Sequence, residues 1–143
     1  MPQYPLPSFH FKVEWGGNRI GFSEVSGLSV ETSVIEYREG GSPDYSVIKM
    51  PGLKKYNNIT LKRGMIKGDN DFFNWWNSQL AGTAERRDIV ISILDQEHAP
   101  AAVWKARNAF PVKIEWGPLN ASGNEIVIES MEIAHEGLTL END

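Results

Sequence analysis

The sequence predicts a mainly β fold: an antiparallel β-sandwich or small barrel with one flanking α-helix and a long protruding hairpin loop. Three observations carry that expectation. Six or more stretches are extended runs, several alternating apolar and polar residues as a half-buried strand does; Phe9, Phe11, Val13 and Trp15 set against His10, Lys12 and Glu14 are the clearest. Gly, Pro and Asn clusters punctuate these stretches. Only one segment carries good helical spacing, and many strands with a single helix argue for a sandwich or barrel.

Length and composition fit a single domain spanning residues 1–143. At 143 residues the chain has no room for a second core of ordinary size, yet is long enough to bury one without staples. Five Trp and six Phe supply large pieces for that core. The absence of cysteine removes disulfides, thiolate metal sites and thiol nucleophiles from consideration. Net charge is −5, which disfavours a stable association with nucleic acid. No apolar run approaches the roughly 18 residues of a membrane-spanning helix, and the first residues lack a signal-peptide pattern, so synthesis in the cytosol without a direct membrane anchor is expected.

In chain order, the prolines of residues 1–7 favour an extended N-terminal arm. Ser8–Trp15 and Arg19–Val25 read as a hairpin around Gly16-Gly17-Asn18. A much longer hairpin follows between Phe22 and Lys62, broken at Gly40-Gly41-Ser42-Pro43-Asp44. It is too long for a small domain to cover, and an uncovered hairpin invites pairing with another chain. Leu28, Val30, Thr32 and Val34 share one face, but from Ile35 and Tyr37 the apolar residues change sides, as if the strand leaves one sheet to contact something new. In the return strand Ile59, Leu61 and Met65 oppose Asn58, Thr60 and Lys62.

The helix is expected over about 12 residues from an N-cap at Asp69 to Gly82, with Phe72, Trp75, Trp76 and Leu80 as its core face. Ile89–Leu94 reads as a strand covered on both sides. Separate strands are expected around Ala102–Arg107 and Val112–Trp116, with Asn108–Pro111 as punctuation, and Glu125–His135 is again extended.

Catalytic and ligand motifs are missing. His10, His98 and His135 are scattered, no nucleophile elbow or phosphate loop occurs, and acid pairs such as Glu36/Glu39 or Glu129/Glu132 are expected by chance among 19 acidic residues. The basic pairs Lys54-Lys55 and Lys62-Arg63 read as a solvated strand face. No enzyme activity and no cofactor or metal is expected.

Stretches spread along nearly the whole chain resemble the tail tube protein family of contractile-tailed phages and related contractile injection systems. They are Phe22–Leu28, Val34–Gly40, Met50–Leu53, Ile59–Gly64, Arg107–Pro111, Asn120–Glu125 and Glu132–Leu138. The resemblance implies six copies closed into a ring whose strands form one continuous inner barrel. Rings would stack into a hollow tube inside a contractile sheath, which drives the tube and its DNA or protein cargo into a target. Implied partners are further copies of the chain, the sheath, baseplate or spike proteins and a terminator cap, in an assembled particle that is possible to release from the cell. The segment 40–51 is then the inter-subunit loop, and Tyr37, Glu39, Tyr45, Val47, Ile48 and Met50 are expected to bury against a neighbouring subunit or ring. Ser29, Glu31, Ser33, Asn58, Thr60 and Lys62 are the candidates for the lumen wall. Two other readings are a tube-initiating paralog at the baseplate and a monomeric ligand-binding sandwich using Trp15, Trp104 or Trp116 as stacking platforms.

Overall fold

A computed structural model of the chain describes residues 5–16, 21–38, 40–41, 47–78 and 85–142. Its elements are β1 (Phe11–Glu14), β2 (Phe22–Ser26), β3 (Val30–Tyr37), β4 (Ile48–Tyr56), β5 (Ile59–Gly64), α1 (Asp71–Asn77), β6 (Arg87–Leu94), β7 (Pro100–Trp116), β8 (Ile128–Ala134) and β9 (Gly137–Asn142). Seven strands form one antiparallel sheet in the order β1-β6-β7-β8-β5-β2, with β9 also paired to β7; β3 and β4 form a second sheet of their own.

The seven-stranded sheet folds over on itself because β7 serves both halves. Its first part pairs with β6 and β9, and its second part pairs with β8. The expected break at Asn108–Pro111 is instead a bend within one continuous strand. Asn108 takes φ +53°, which asparagine tolerates better than most residues, and is held there from both sides. Its N–H donates to Asp88 Oδ1 at 3.0 Å and its amide to Glu136 Oε2 at 2.9 Å.

The core lies between the two halves, where Val13 and Trp15 of the first strand region face Ile59, Leu61, Ile89, Ile91, Met131 and Ile133. This burial also decides the pairing. Among the described residues the expected β1–β2 pairing is absent; β1 pairs with β6, setting Val13 opposite Ile91, and β2 pairs with β5, setting Val25 opposite Leu61. Each strand thereby joins a different half and places its apolar face inward. The expected turn residues Gly17 and Asn18 lie outside the described residues.

The long hairpin also divides. β3 pairs with β4 in the separate sheet, whereas β5 leaves at Asn57-Asn58 to join the main one. The two chain segments cross closely at this root. Gly27 has φ +87°, and a Cβ there would sit 2.1 Å from the Asn58 carbonyl oxygen, so glycine is required both for conformation and for space. Asn57 laces the crossing: its amide donates to Ser29 Oγ at 2.6 Å and Glu31 Oε1 at 3.0 Å, while its own carbonyl meets His135 Nε2 at 2.9 Å.

α1 is shorter than expected over the described residues, spanning Asp71–Asn77, and its N-cap is Asn70 rather than Asp69. Asp69 has another task. Its Oδ1 accepts the Asp71 N–H at 3.0 Å, and its carboxylate pairs with Arg63. Phe72 and Trp75 are fully buried, Trp76 is half-buried, and Leu80 and Gly82 lie outside the described residues.

Arg63 is the largest departure from the sequence reading. Expected on a solvated basic face, it is 2% exposed. Its guanidinium lies 3.3 Å from Asp69 Oδ2 and 3.1 Å from Glu129 Oε1, and is centred 3.9 Å from the Phe72 ring. Glu129 also accepts Trp116 Nε1–H at 3.2 Å. A buried cation is tolerated when its charge is paired, as that of Arg63 is by two carboxylates, and this cluster joins β5, β8, β7 and the start of α1.

Candidate assembly surfaces

The strands β2, β5, β8 and the second half of β7 form a four-stranded unit with two unlike faces. Register places Thr60 beside Glu132 and Lys62 beside Ser130, with Glu24 beside Lys62; on β7, Lys113 lies beside Glu132 and Glu115 beside Ser130. Because side chains alternate, these residues share the face opposite to buried Ile59, Leu61, Arg63, Glu129, Met131 and Ile133. All of them but Glu24 line an open depression of about 520 Å³. The opposite charges are already engaged with one another: Lys62 lies 3.1 Å from Glu24, and Lys113 lies 3.3 Å from Glu115. Such exposed pairs contribute little stability, but they leave a hydrophilic surface with two lysines against three glutamates.

Thr60 and Lys62, from the expected lumen set, lie on this face, and Asn58 sits at its margin with its amide 3.5 Å from Glu132 Oε1. Ser29, Glu31 and Ser33 do not share the sheet; Ser29 precedes β3 and the other two lie on it. Lys113, Glu115, Ser130 and Glu132 were missed in the sequence reading. Their signal was present in the alternation of Val112–Trp116 and Ile128–Ala134.

The four-stranded unit has two edges without a strand partner among the described residues. One is β2. The other is the side of Val112–Trp116 away from β8, because β6 accompanies only the earlier part of β7. Strand direction alternates throughout, so the unpaired edges are antiparallel to one another.

The β3–β4 hairpin projects from this unit, and all of β3 is exposed. Its cross-strand pairs place Ile35 beside Met50 and Tyr37 beside Ile48 on one face, while Val30 and Val34 occupy the other. The expected change of apolar side is therefore real, but β3 keeps its alternation: between Thr32 and Val34 it advances two residues while β4 advances from Lys54 to Pro51, so the extra residue belongs to β4. Val47, Ile48, Met50 and Tyr37 are exposed apolar residues, as is Leu53. Glu39 and Tyr45 lie outside the described residues. A two-stranded ribbon with this much apolar exposure is marginal in water on its own.

His10 and His98 meet with ring centres 5.0 Å apart, but among the described residues no group of three potential metal ligands gathers. Trp15 is buried in the core and offers no stacking platform. Among the described residues no helix is long and apolar enough to cross a membrane.

A sequence profile of the T4-like virus tail tube protein gp19 family matches residues 7–139. A chain in the cryo-EM structure of the anti-feeding prophage cap, described as a tube-terminating cap, is 30% identical with a TM-score of 0.91, covering 100% of this chain and 95% of that one. A chain in the sheath–tube complex of an extracellular contractile injection system (PVC, extended state) is 31% identical with a TM-score of 0.89, over 99% and 94% of the two chains. Hcp1 from Flavobacterium johnsoniae shares the fold at 14% identity and a TM-score of 0.58, over 94% and 97%. No curated protein matches the sequence.

Proposed function

The chain belongs to the T4-like virus tail tube protein family and is a structural subunit of a contractile-system tube; from that premise we propose that it builds the tube by edge-to-edge strand pairing around a polar lumen. The observation that carries this reading is the four-stranded unit, polar on one face, buried on the other and, among the described residues, unpaired at both edges. Joining β2 of one copy to Val112–Trp116 of the next continues the antiparallel alternation without interruption. Closure removes every such edge from solvent, which a finite open sheet cannot do. Six copies contribute about twenty-four strands, more than the 16–18 that already leave an aqueous channel in porins.

Thr60, Lys62, Lys113, Glu115, Ser130 and Glu132 then form the lumen wall. Each lysine is paired with a glutamate of the same subunit and one glutamate is left over, so passing cargo meets little apolar surface to adhere to and only a weak negative field. The β3–β4 hairpin, at one end of the wall, buries its apolar residues against another copy. Around this tube we place the sheath, with baseplate and cap proteins at its ends and DNA or protein cargo in its bore, in a particle that works outside the cytosol where it was made. The chain's role is structural and non-enzymatic. Likeness to a chain of a tube-terminating structure favours one second reading, a subunit specialised for a tube end; extended tubes from the purified chain alone would count against it.

Thiol accessibility tests the lumen. In the cysteine-free chain, Thr60→Cys or Ser130→Cys should react with a small maleimide in intact tubes but resist a maleimide on a polymer too large to enter. Rapid labelling by the large reagent along the whole tube would place these residues outside and overturn the arrangement.

A further inference from the structure

Behind the polar wall, the edge strand Val112–Trp116 adjoins α1. The ring of Phe73 lies 6.5 Å from that of Trp116 and 6.2 Å from that of Trp76. With Val112 and Ile114 these rings line an open depression of about 340 Å³ that reaches the unpaired edge at Lys113. Phe73, Val112 and Trp116 are exposed by 45%, 42% and 42%. Local geometry gathers them. Ile114 and Trp116 alternate onto the face opposite the polar wall, Val112 is the extra residue of the bulge between Pro111 and Lys113, and Phe73 and Trp76 lie three apart on the helix. The other edge presents a similar surface. Phe22, Arg63, Glu129 and Trp116 form one cross-strand row of this face, and Val25, Leu61, Met131 and Ile114 form another. The bulge in β2 keeps Phe22 and Val25 on the same face, and both are only partly buried at the edge.

We propose that the depression between α1 and Val112–Trp116 receives the Phe22 and Val25 side of the next copy in the ring, forming an apolar seam behind the strand joint. The proposal rests on the tube reading above and deepens it by naming a second surface at each joint. When β2 of one copy pairs with Val112–Trp116 of another, the polar residues of both stay on one face only at offsets of an even number of residues. Every such offset leaves Phe22 and Val25 on the side of Ile114 and Trp116, next to Phe73 and Trp76. The exposed charges at the two edges, Glu24 and Lys113, lie on the polar face and pair there with Lys62 and Glu115. The seam therefore buries apolar surface against apolar surface and strands no charge.

Size supports a seam in addition to strand pairing. The edge Val112–Trp116 is about 17 Å long and a sheet is about 10 Å deep, so pairing alone covers roughly 170 Å². A stable pair of proteins buries about 800 Å² on each side. The rings of Phe73, Trp76 and Trp116 widen the contact with side chains of the kind that dominate interface energies, and they keep water from the new strand hydrogen bonds. Because the two surfaces lie on opposite edges of one copy, the contact is head-to-tail and each copy in a closed ring has both satisfied.

Photo-cross-linking reads the contact directly. Tubes are grown from a mixture of unaltered chains uniformly labelled with nitrogen-15 and unlabelled chains carrying benzoylphenylalanine in place of Phe73. After irradiation, mass spectrometry should find the probe joined to the peptide that holds Phe22 and Val25 of a labelled chain. Links confined to the probe's own chain, or reaching only other segments of a labelled one, would overturn the seam. As a second test, Phe73→Glu alters an exposed helix position, so unfolding of the dilute protein should match the parent. Its rings, counted by negative-stain microscopy at a concentration where the parent assembles fully, should fall at least tenfold. Normal assembly of that variant would overturn the seam while leaving the tube reading intact. Failure of the unaltered chain to form any ring would instead overturn the tube reading, and the seam with it.

Discussion

Replacing Arg63 by Met removes the only cation from a cluster that also holds Asp69 and Glu129, all three with side chains no more than 5% exposed. The Met side chain fills part of the space between Phe72 and Trp15, so the principal loss is electrostatic: two carboxylates remain buried without their counter-charge. Removing one partner of a buried ion pair typically costs about 3–5 kcal/mol, and loss of the stacked guanidinium adds to it, so about 4 kcal/mol is expected. For a domain of this size that corresponds to a fall in Tm of roughly 12 °C. The assay is urea unfolding of dilute, unassembled protein, followed by tryptophan fluorescence, since Trp15 and Trp75 are in the core. Adding Asp69→Asn and Glu129→Gln keeps acceptors for the Asp71 N–H and Trp116 Nε1–H while removing the charges. This triple variant should recover at least about 2 kcal/mol. A single-variant loss below about 1 kcal/mol, or no recovery in the triple variant, would mean that the buried charges do not depend on Arg63.

Gly27→Ala should destabilise by more than about 2 kcal/mol, because it adds a strained positive φ to a clash with backbone. Hydrogen exchange should show protection lost first around residues 27–31 and 55–59; uniform loss across the core would argue against a local root defect. Ile35→Asp/Ile48→Asp, at exposed positions, should leave unfolding of the dilute protein within about 0.5 kcal/mol of the parent while abolishing tubes in electron micrographs. Unimpaired assembly would mean the hairpin's apolar face is dispensable.

What could be read from the sequence followed from local physics. Two-residue alternation located most strands, and the aromatic spacing of Phe72 and Trp75 located the buried face of α1. Pairing was less legible, because proximity in sequence favours β1 with β2 whereas burial of Val13 and Trp15 favours β6. The bend at Asn108 looked like an ending because asparagine and a nearby proline usually punctuate strands, yet the hydrogen bonds that Asn108 donates to Asp88 and Glu136 hold the chain extended through it. Arg63 shows a different difficulty. Alternation already put it on the same side as Ile59 and Leu61, but charge suggested solvent, and its two acidic partners lie 6 and 66 residues away. The polar wall was half legible: Thr60 and Lys62 belong to it, whereas its neighbours on β7 and β8 join it only through long-range register. β9 escaped notice because it continues the β8 line after a two-residue interruption, His135-Glu136.

Electron cryomicroscopy of tubes grown from the purified chain would show the strand pairing between subunits and the inner wall. Sixfold rings are expected, in which β2 of one subunit pairs with Val112–Trp116 of the next, with Thr60, Lys62, Ser130 and Glu132 on the inner wall. A tube whose inner wall is formed by another face, with the β2 edge open to solvent, would contradict this arrangement.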